Sequence, residues 1–168
     1  VHDIGEPGLL FGPREMRLYP NGRIASHILG GSAFGAEGVN SAEVIGTAGV
    51  EKAFDGWLRN PANEGAPLTL SLDLTAQSAM EEVLFSGMRR MNAKGAAGVL
   101  MEIDTGEILA MASLPDFDPN DRPKPALKGD PSDSPLFNRV VQGQYELGST
   151  FKIFPVAQAM DLKLVYPN

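Results

Sequence analysis

Residues 97–114 read AGVLMEIDTGEILAMASL, and this stretch decides the fold. Two apolar runs, residues 97–103 and 108–114, flank the tetrapeptide Asp104-Thr105-Gly106-Glu107. Apolar runs separated by a short polar segment that contains glycine are typical of a β-hairpin. The stretch therefore predicts two antiparallel strands joined by a tight turn.

The residues before the hairpin predict a strand and then a helix. Residues 68–72 alternate as Leu-Thr-Leu-Ser-Leu, the period of a half-buried strand. Asp73 or Thr75 then caps a helix that ends at Gly95. Its apolar positions recur at helical spacing: Ala76, Met80, Val83, Leu84, Met88 and Met91. We expect this helix to pack on the sheet through Met80, Leu84 and Met88, which indicates an α+β fold.

The residues after the hairpin predict a long loop and a last helix. Residues 115–135 contain six of the thirteen prolines, so we expect an irregular loop that runs over the surface. Residues 149–164 predict a helix with an apolar face that includes Ile153, Val156 and Met160. Pro155 lies early in this helix, so we expect a kink or a 3₁₀ start there.

Residues 1–66 differ from the rest by being Gly-rich and irregular. A short helix is predicted at residues 24–29 and a longer one at residues 50–59, where Val50, Phe54 and Trp57 share a face. We therefore divide the chain into a small lobe, residues 1–66, and the start of a second domain, residues 67–168.

Composition narrows the function classes. The net charge is −7, and the largest basic cluster is Arg89-Arg90, which argues against nucleic acid as a partner. The chain has no cysteine, which excludes disulfides and thiolate chemistry. No apolar run approaches the length of a membrane span. Because the sequence begins at Val1 without an initiator methionine, we expect it to be part of a longer protein.

Ser149 and Lys152 form the motif that carries chemistry. Residues three apart lie on one face of a helix, so the serine hydroxyl and the lysine amine can meet. A serine becomes nucleophilic when a nearby base takes its proton, and a lysine with a pKa lowered by burial can act as that base. By itself the tetrad is a weak signal, and it favours an ordinary helix start, in which Ser149 is an N-cap and Lys152 is solvated.

The order of these segments, together with six short motifs, resembles class B penicillin-binding proteins, most closely the division-specific, septal peptidoglycan transpeptidases. The motifs are Arg17-Leu18-Tyr19-Pro20-Asn21-Gly22 followed by His27, Gly46-Thr47-Ala48-Gly49-Val50-Glu51, Leu70-Ser71-Leu72-Asp73 with Gln77, residues 104–111, residues 113–120, and Asn138-Arg139 ahead of Ser149. They cover nearly all of the chain in order.

The resemblance implies an α+β fold in two parts. Residues 1–66 would be the C-terminal part of a pedestal (dimerisation-type) lobe. Residues 67–168 would be the first portion of a β-lactamase-like transpeptidase domain, a sheet flanked by helices, truncated just after the Ser-x-x-Lys helix.

The resemblance also implies an activity, D,D-transpeptidation of D-Ala-D-Ala stem peptides through a serine acyl-enzyme. Ser149 would be the nucleophile and, through its backbone N–H, an oxyanion donor; Lys152 would be the general base. No cofactor or metal is implied. Implied ligands and partners are peptidoglycan stem peptides, β-lactam antibiotics, a membrane glycosyltransferase and division proteins. The implied location is the periplasmic face of the inner membrane, with an N-terminal transmembrane anchor that this chain does not contain.

Departures from the family pattern leave other readings open. Leu147 stands where the family usually has proline, and no Ser-x-Asn or Lys-Thr-Gly element follows Lys152. We therefore expect the chain alone to be an incompetent transpeptidase. The alternatives are a Ser-x-x-Lys β-lactam sensor or hydrolase, a non-catalytic module that docks on glycosyltransferase or division partners, and an inert piece.

Three further groups of polar residues receive structural interpretations. His27 lies in a Gly-rich setting and is predicted to make a structural hydrogen bond. Asp116, Asp118 and Asp121 lack the glycine and distal glutamate of a calcium-binding loop, so we reject a calcium site. Glu81-Glu82 is interpreted as a solvated helix face.

Overall fold

The computed structural model describes residues 16–34, 44–63, 65–125 and 127–166. The described residues form an α+β fold, as predicted, with two separate two-stranded antiparallel sheets. Its helices are α1 (Ser26–Leu29), α2 (Gly49–Ala53), α3 (Asp55–Leu58), α4 (Leu74–Arg90) and α5 (Ile153–Asp161), and its strands are β1 (Gly31–Phe34), β2 (Val44–Ala48), β3 (Ala96–Met101) and β4 (Ile108–Leu114). Single 3₁₀ turns lie at Pro61–Asn63, Pro119–Asp121 and Pro131–Asp133, and a longer 3₁₀ segment at Gly148–Lys152.

The predicted β-hairpin is confirmed as β3 and β4, which pair from Ala96 with Leu114 to Met101 with Ile108. The first strand ends two residues earlier than predicted, at Met101, and the register of the pairing shifts between Leu100 and Met101. The turn is closed by the Glu102 N–H, which donates to the Glu107 carbonyl at 2.9 Å. Gly106 supplies the left-handed backbone conformation within this turn, with φ of 76°.

Helix α4 is confirmed at its start and on its packing face. Asp73 is the N-cap, and its carboxylate accepts from the Ala76 N–H at 2.8 Å. Met80 and Leu84 pack against Gly98 of β3, where an added Cβ would lie 3.2 Å from Leu84 Cδ1. Two of the positions assigned to this face, Val83 and Met91, are exposed instead.

The predicted end of α4 at Gly95 is wrong, because the helix ends at Arg90. Asn92 adopts a left-handed conformation with φ of 50°, and the Ala93 N–H donates back to the Met88 carbonyl at 2.9 Å. This is the six-to-one hydrogen bond of a Schellman motif, here with asparagine in the position that glycine usually takes.

The predicted strand at residues 68–72 does not form. The alternation of exposure is present, since the leucines are half-buried while Thr69 and Ser71 are exposed. The segment contacts the start of β4 through the Asp73 N–H, which donates to the Leu109 carbonyl at 2.9 Å, and the Ser71 hydroxyl, which donates to the Ile108 carbonyl at 2.8 Å. The next outward-facing backbone groups of β4, those of Met111, are paired by the side chain of Gln77.

The small lobe proposed for residues 1–66, called the N-terminal lobe from here on, contains a hairpin, β1 with β2, that the sequence did not predict. The helix predicted at residues 24–29 is confirmed only as the single turn α1. The helix predicted at residues 50–59 is divided into α2 and α3, with Phe54 between them. Gly49 begins α2 with φ of 59°, and a Cβ there would lie 2.5 Å from the Ile28 carbonyl oxygen. The close approach of α1 to α2 thus requires glycine at this position.

The loop at residues 115–135 is irregular apart from two 3₁₀ turns, as predicted for its described residues. Its first part does not run over the surface, because Phe117 and Pro119 are buried. Phe117 joins Ala110, Ala112 and Leu114 of β4 and Ala25 of the N-terminal lobe in a small core. Among the described helices, none is long and apolar enough to cross a bilayer.

Candidate active site

The Ser-x-x-Lys segment begins a helical stretch, as predicted. A 3₁₀ segment, Gly148–Lys152, leads directly into α5. Pro155 has no N–H to donate to the preceding turn, which accounts for a 3₁₀ start. Gly148, with φ of 54°, is the first residue of this 3₁₀ segment. Ser149 is therefore the second residue of the helical stretch.

Ser149 and Lys152 lie on one side of this stretch. Both line a shallow groove of about 420 Å³ with four residues of α5: Ile153, Val156, Ala157 and Met160. The spacing of these six residues follows one helical face. The structure therefore places the two residues on one face, as the spacing predicts, while their catalytic roles stay predictions.

The groove is open to solvent. Ser149 and Lys152 are both exposed, and the apolar side chains of Ile153 and Phe154 are 68% and 61% exposed. A lysine acts as a base at neutral pH when burial disfavours its charged form. The described residues do not bury Lys152, so the chemistry predicted for it requires further cover over this face.

The two N-terminal motifs of the family pattern meet in space. Arg17 Nε lies 3.2 Å from Glu51 Oε2, and the Tyr19 hydroxyl donates to Glu51 Oε1 at 3.2 Å. Ser32 of β1 lies 3.5 Å from the same hydroxyl. Partial burial, together with the charge of Glu51, raises the pKa of Tyr19. This cluster joins the segment of Arg17 and Tyr19 to α2, which contains Glu51.

A second set of contacts joins this lobe to the segment after β4. Asn120 pairs with the backbone of Tyr19, accepting from its N–H at 3.0 Å and donating to its carbonyl at 2.9 Å. Arg23 and Asp116 form an ion pair of 2.8 Å.

His27 contributes to the same set of contacts. Its Nε2 lies 3.3 Å from the Pro115 carbonyl oxygen, and its ring packs edge-on against Phe117 at 5.2 Å between centroids. Burial lowers the pKa of His27, which keeps the ring neutral. The structural role predicted for this histidine is confirmed.

The interpretation of Glu81 as part of a solvated face is wrong. Glu81 is half-buried, and its Oε1 accepts from the Ala25 N–H at 2.9 Å and from Gln77 Nε2 at 2.7 Å. Gln77 is completely buried and pairs with both backbone groups of Met111, at 2.9 Å to the carbonyl and 2.8 Å from the N–H. A signal was present, because Gln77 precedes Met80 by three residues and Leu84 by seven, which is the spacing of the packed face.

Arg139 is a further buried polar residue to which the sequence analysis gave no role. It is 8% exposed, and its N–H donates to the Ser113 hydroxyl of β4 at 2.9 Å. Its guanidinium donates to the Ser132 carbonyl and lies 5.8 Å from the centre of the Phe137 ring. A Cβ at Gly95 would lie 2.1 Å from Arg139 Nε, so the glycine before β3 makes room for this side chain.

Across the described ranges, no group of three or more histidine, cysteine or acidic side chains is arranged to hold a metal ion. Two of the three aspartates considered for calcium have other partners. Asp116 pairs with Arg23, and Asp118 caps the 3₁₀ turn Pro119–Asp121 by accepting from the Asn120 N–H at 2.8 Å.

Comparison with known proteins finds a matching domain family and several relatives. Residues 96–168 match the penicillin-binding protein transpeptidase domain. The chain is 38% identical over 162 residues to the probable peptidoglycan D,D-transpeptidase FtsI of Caulobacter vibrioides, an alignment that covers 96% of this chain and 25% of that protein.

Two further relatives extend the comparison. Peptidoglycan D,D-transpeptidase FtsI of Escherichia coli is 28% identical over 96% of this chain and 29% of its own length. Stage V sporulation protein D of Bacillus subtilis is 31% identical over 92% of this chain and 26% of its own length. The chain thus spans between a quarter and a third of the length of these relatives.

Proposed function

Residues 96–168 belong to the penicillin-binding protein transpeptidase domain family, and on this premise we propose that the complete gene product is a septal peptidoglycan D,D-transpeptidase. The observation that carries the proposal is the groove in which Ser149 and Lys152 lie on one helical face, one turn apart. Two of the relatives bear the name of a D,D-transpeptidase, FtsI, and their alignments cover 96% of this chain.

The proposed reaction is acyl transfer in two steps. Lys152 takes the proton of the Ser149 hydroxyl as its oxygen attacks the carbonyl between the two terminal D-alanines of a stem peptide. The C–N bond breaks, the terminal D-alanine leaves with a proton on its amine, and an ester to Ser149 remains. An amine of a neighbouring stem then attacks this ester, forms the cross-link and returns Ser149 to its free form.

The start of the helical stretch supports the first step. The first N–H groups of a helix have no partner within it, and the Ser149 N–H lies in this position. Such a donor can stabilise the negative charge that develops on the substrate oxygen. We propose that the rest of the active site, including the second oxyanion donor and the side chains that cover Lys152, belongs to residues outside this chain. The chain alone is then an incompetent enzyme.

The proposal also covers the ligands, the protein partners and the cellular location of the complete gene product. The substrates are peptidoglycan stem peptides, and β-lactam antibiotics acylate the same serine because they resemble the stem-peptide terminus. Membrane glycosyltransferase and division proteins are the proposed partners of the N-terminal lobe, residues 1–66, a pedestal for the transpeptidase domain that begins at residue 67. The proposed location is the periplasmic face of the inner membrane, with an anchor outside this sequence.

Labelling with a fluorescent penicillin tests the proposed function. The complete gene product should be labelled covalently, Ser149→Ala should abolish labelling, and Lys152→Ala should slow it by a factor of roughly 10² or more. Thr150→Ala and Lys163→Ala are matched controls, because they remove a neighbouring hydroxyl and a neighbouring amine, and both should retain labelling. A folded wild-type protein that takes no label would instead favour the non-catalytic docking module.

A further inference from the structure

Arg139 is the last buried residue before Ser149, ten positions away in sequence. From residue 141 to residue 166, Gly143 and Ala159 are half-buried and the other described side chains are exposed. Within the described residues, the position of Ser149 relative to the β3–β4 sheet therefore depends on the contacts that Arg139, the last buried residue before it, makes with that sheet.

Several contacts, centred on Ser113 of β4, anchor the chain at Arg139 to the sheet. The Ser113 hydroxyl accepts from the Arg139 N–H at 2.9 Å and donates to the Phe137 carbonyl at 3.3 Å, so two backbone groups of this segment are fixed to β4. Ser113 is itself buried. The Arg139 guanidinium reaches the Ser132 carbonyl and occupies the space left by Gly95 at the entry of β3. The anchor thus involves β4 and the residue that precedes β3.

Tyr145 lies between this anchor and the nucleophile segment, which is the 3₁₀ segment Gly148–Lys152 that contains Ser149. A Cβ at Gly143 would lie 2.5 Å from the Arg139 carbonyl oxygen and 2.5 Å from Tyr145 Cε2. The ring of Tyr145 therefore folds back over Gly143 toward the anchored turn. Tyr145 and Arg139 also line the same cavity, of about 490 Å³, beside β3. Only three residues then separate Tyr145 from Ser149.

We infer that Arg139, through Tyr145, is a positioning residue for Ser149: it sets the place of the nucleophile relative to the sheet of the transpeptidase domain. This inference rests on the proposed function and adds to it a residue that does not touch substrate. Acyl transfer requires the reacting atoms at near-attack distance, and a displacement of about 1 Å can cost roughly 10²-fold in rate. An anchor ten residues away can therefore control the rate without taking part in the chemistry.

The test measures two quantities on the complete gene product, the rate of acylation by a fluorescent penicillin and the final stoichiometry of labelling. Arg139→Met keeps the length and apolar contacts of the side chain and the backbone hydrogen bond to Ser113, but it removes the hydrogen bond of the guanidinium to the Ser132 carbonyl. We expect acylation to slow by roughly tenfold or more while the final stoichiometry stays complete. A slow rate with complete labelling indicates a misplaced nucleophile, since unfolded protein would not be labelled at all.

Arg122→Met is the matched control. Arg122 also has a buried guanidinium nitrogen, but its guanidinium lies 5.7 Å from the Phe117 ring centre, and its side chain packs on Gly31 of the N-terminal lobe. Its variant should have a lowered melting temperature and acylate within about twofold of wild type. Equal slowing in the two variants, or a wild-type rate in Arg139→Met, overturns the inference.

Tyr145→Ala keeps the test decisive if Arg139→Met does not fold. Tyr145 is 63% exposed, so its truncation should leave the fold intact and still slow acylation. An unchanged rate in this variant contradicts the inference even where Ser149→Ala confirms the proposed function. Wild-type protein without any label overturns both.

Discussion

Replacement of Gln77 by leucine should destabilise the contact between α4 and β4 without creating a large cavity. The carboxamide makes two hydrogen bonds to the Met111 backbone, of 2.9 and 2.8 Å, and one of 2.7 Å to Glu81. Leucine has nearly the same volume but no polar atoms, so the Met111 N–H and carbonyl lose their partners. Each orphaned buried group costs about 1–3 kcal/mol. Because Met111 is only half-buried, we expect a total of about 2–4 kcal/mol.

Amide hydrogen exchange of the complete gene product measures this cost locally. The Met111 N–H donates to Gln77, so its opening free energy reports the bond directly. At tenfold per about 1.4 kcal/mol, exchange at Met111 should accelerate roughly 30- to 700-fold in Gln77→Leu. Ser78→Ala, at the exposed neighbouring position of α4, should change the opening free energy by less than about 0.5 kcal/mol. An equally small change for Gln77→Leu would refute the assignment of Gln77 as the partner of β4.

Two further changes test the packing and the pH response. Leu84→Ala should lower the free energy of unfolding by about 2 kcal/mol, the low end for buried leucines, because Leu84 packs on Gly98 but is only half-buried; a denaturant melt of the complete gene product that shows no loss would contradict this packing. Burial holds the pKa of His27 below its usual 6.5, so the unfolded state takes up a proton at a higher pH than the folded state. The stability that neutral His27 contributes should be complete above pH 6.5 and decline as the pH falls below it. Melting temperatures between about pH 7.5 and 5.5 should show this decline in wild type and a flatter profile in His27→Asn, and parallel profiles would argue against it.

The elements predicted correctly are those that depend on neighbours in sequence. The hairpin follows from two apolar runs around Asp104-Thr105-Gly106-Glu107, and the start of α4 follows from Asp73 as its cap. The 3₁₀ start before Pro155 is also local. In each case the backbone geometry depends on residues within about four positions, so the pattern alone contains the required information.

The elements predicted wrongly depend on residues far apart in sequence. Residues 68–72 have strand alternation, but Ser71 bonds to its neighbour β4, 37 residues away, through its side-chain hydroxyl. Phe117 lies in a Pro-rich loop, yet it is buried because His27 of the N-terminal lobe packs against it. Composition cannot indicate which distant surface will cover a segment.

The features of the candidate site also fall into those that local sequence predicts and those that depend on distant residues. The sequence by itself determined that Ser149 and Lys152 lie on one face, because helical spacing places residues three apart on the same side. Only the tertiary structure decided that Arg139 and Glu81 are held within the fold, and that Arg17 meets Glu51. A charged side chain can be buried only where partners satisfy it, and here those partners lie 4 to 56 positions away. The identity of such partners is a property of the folded chain and not of any stretch of its sequence.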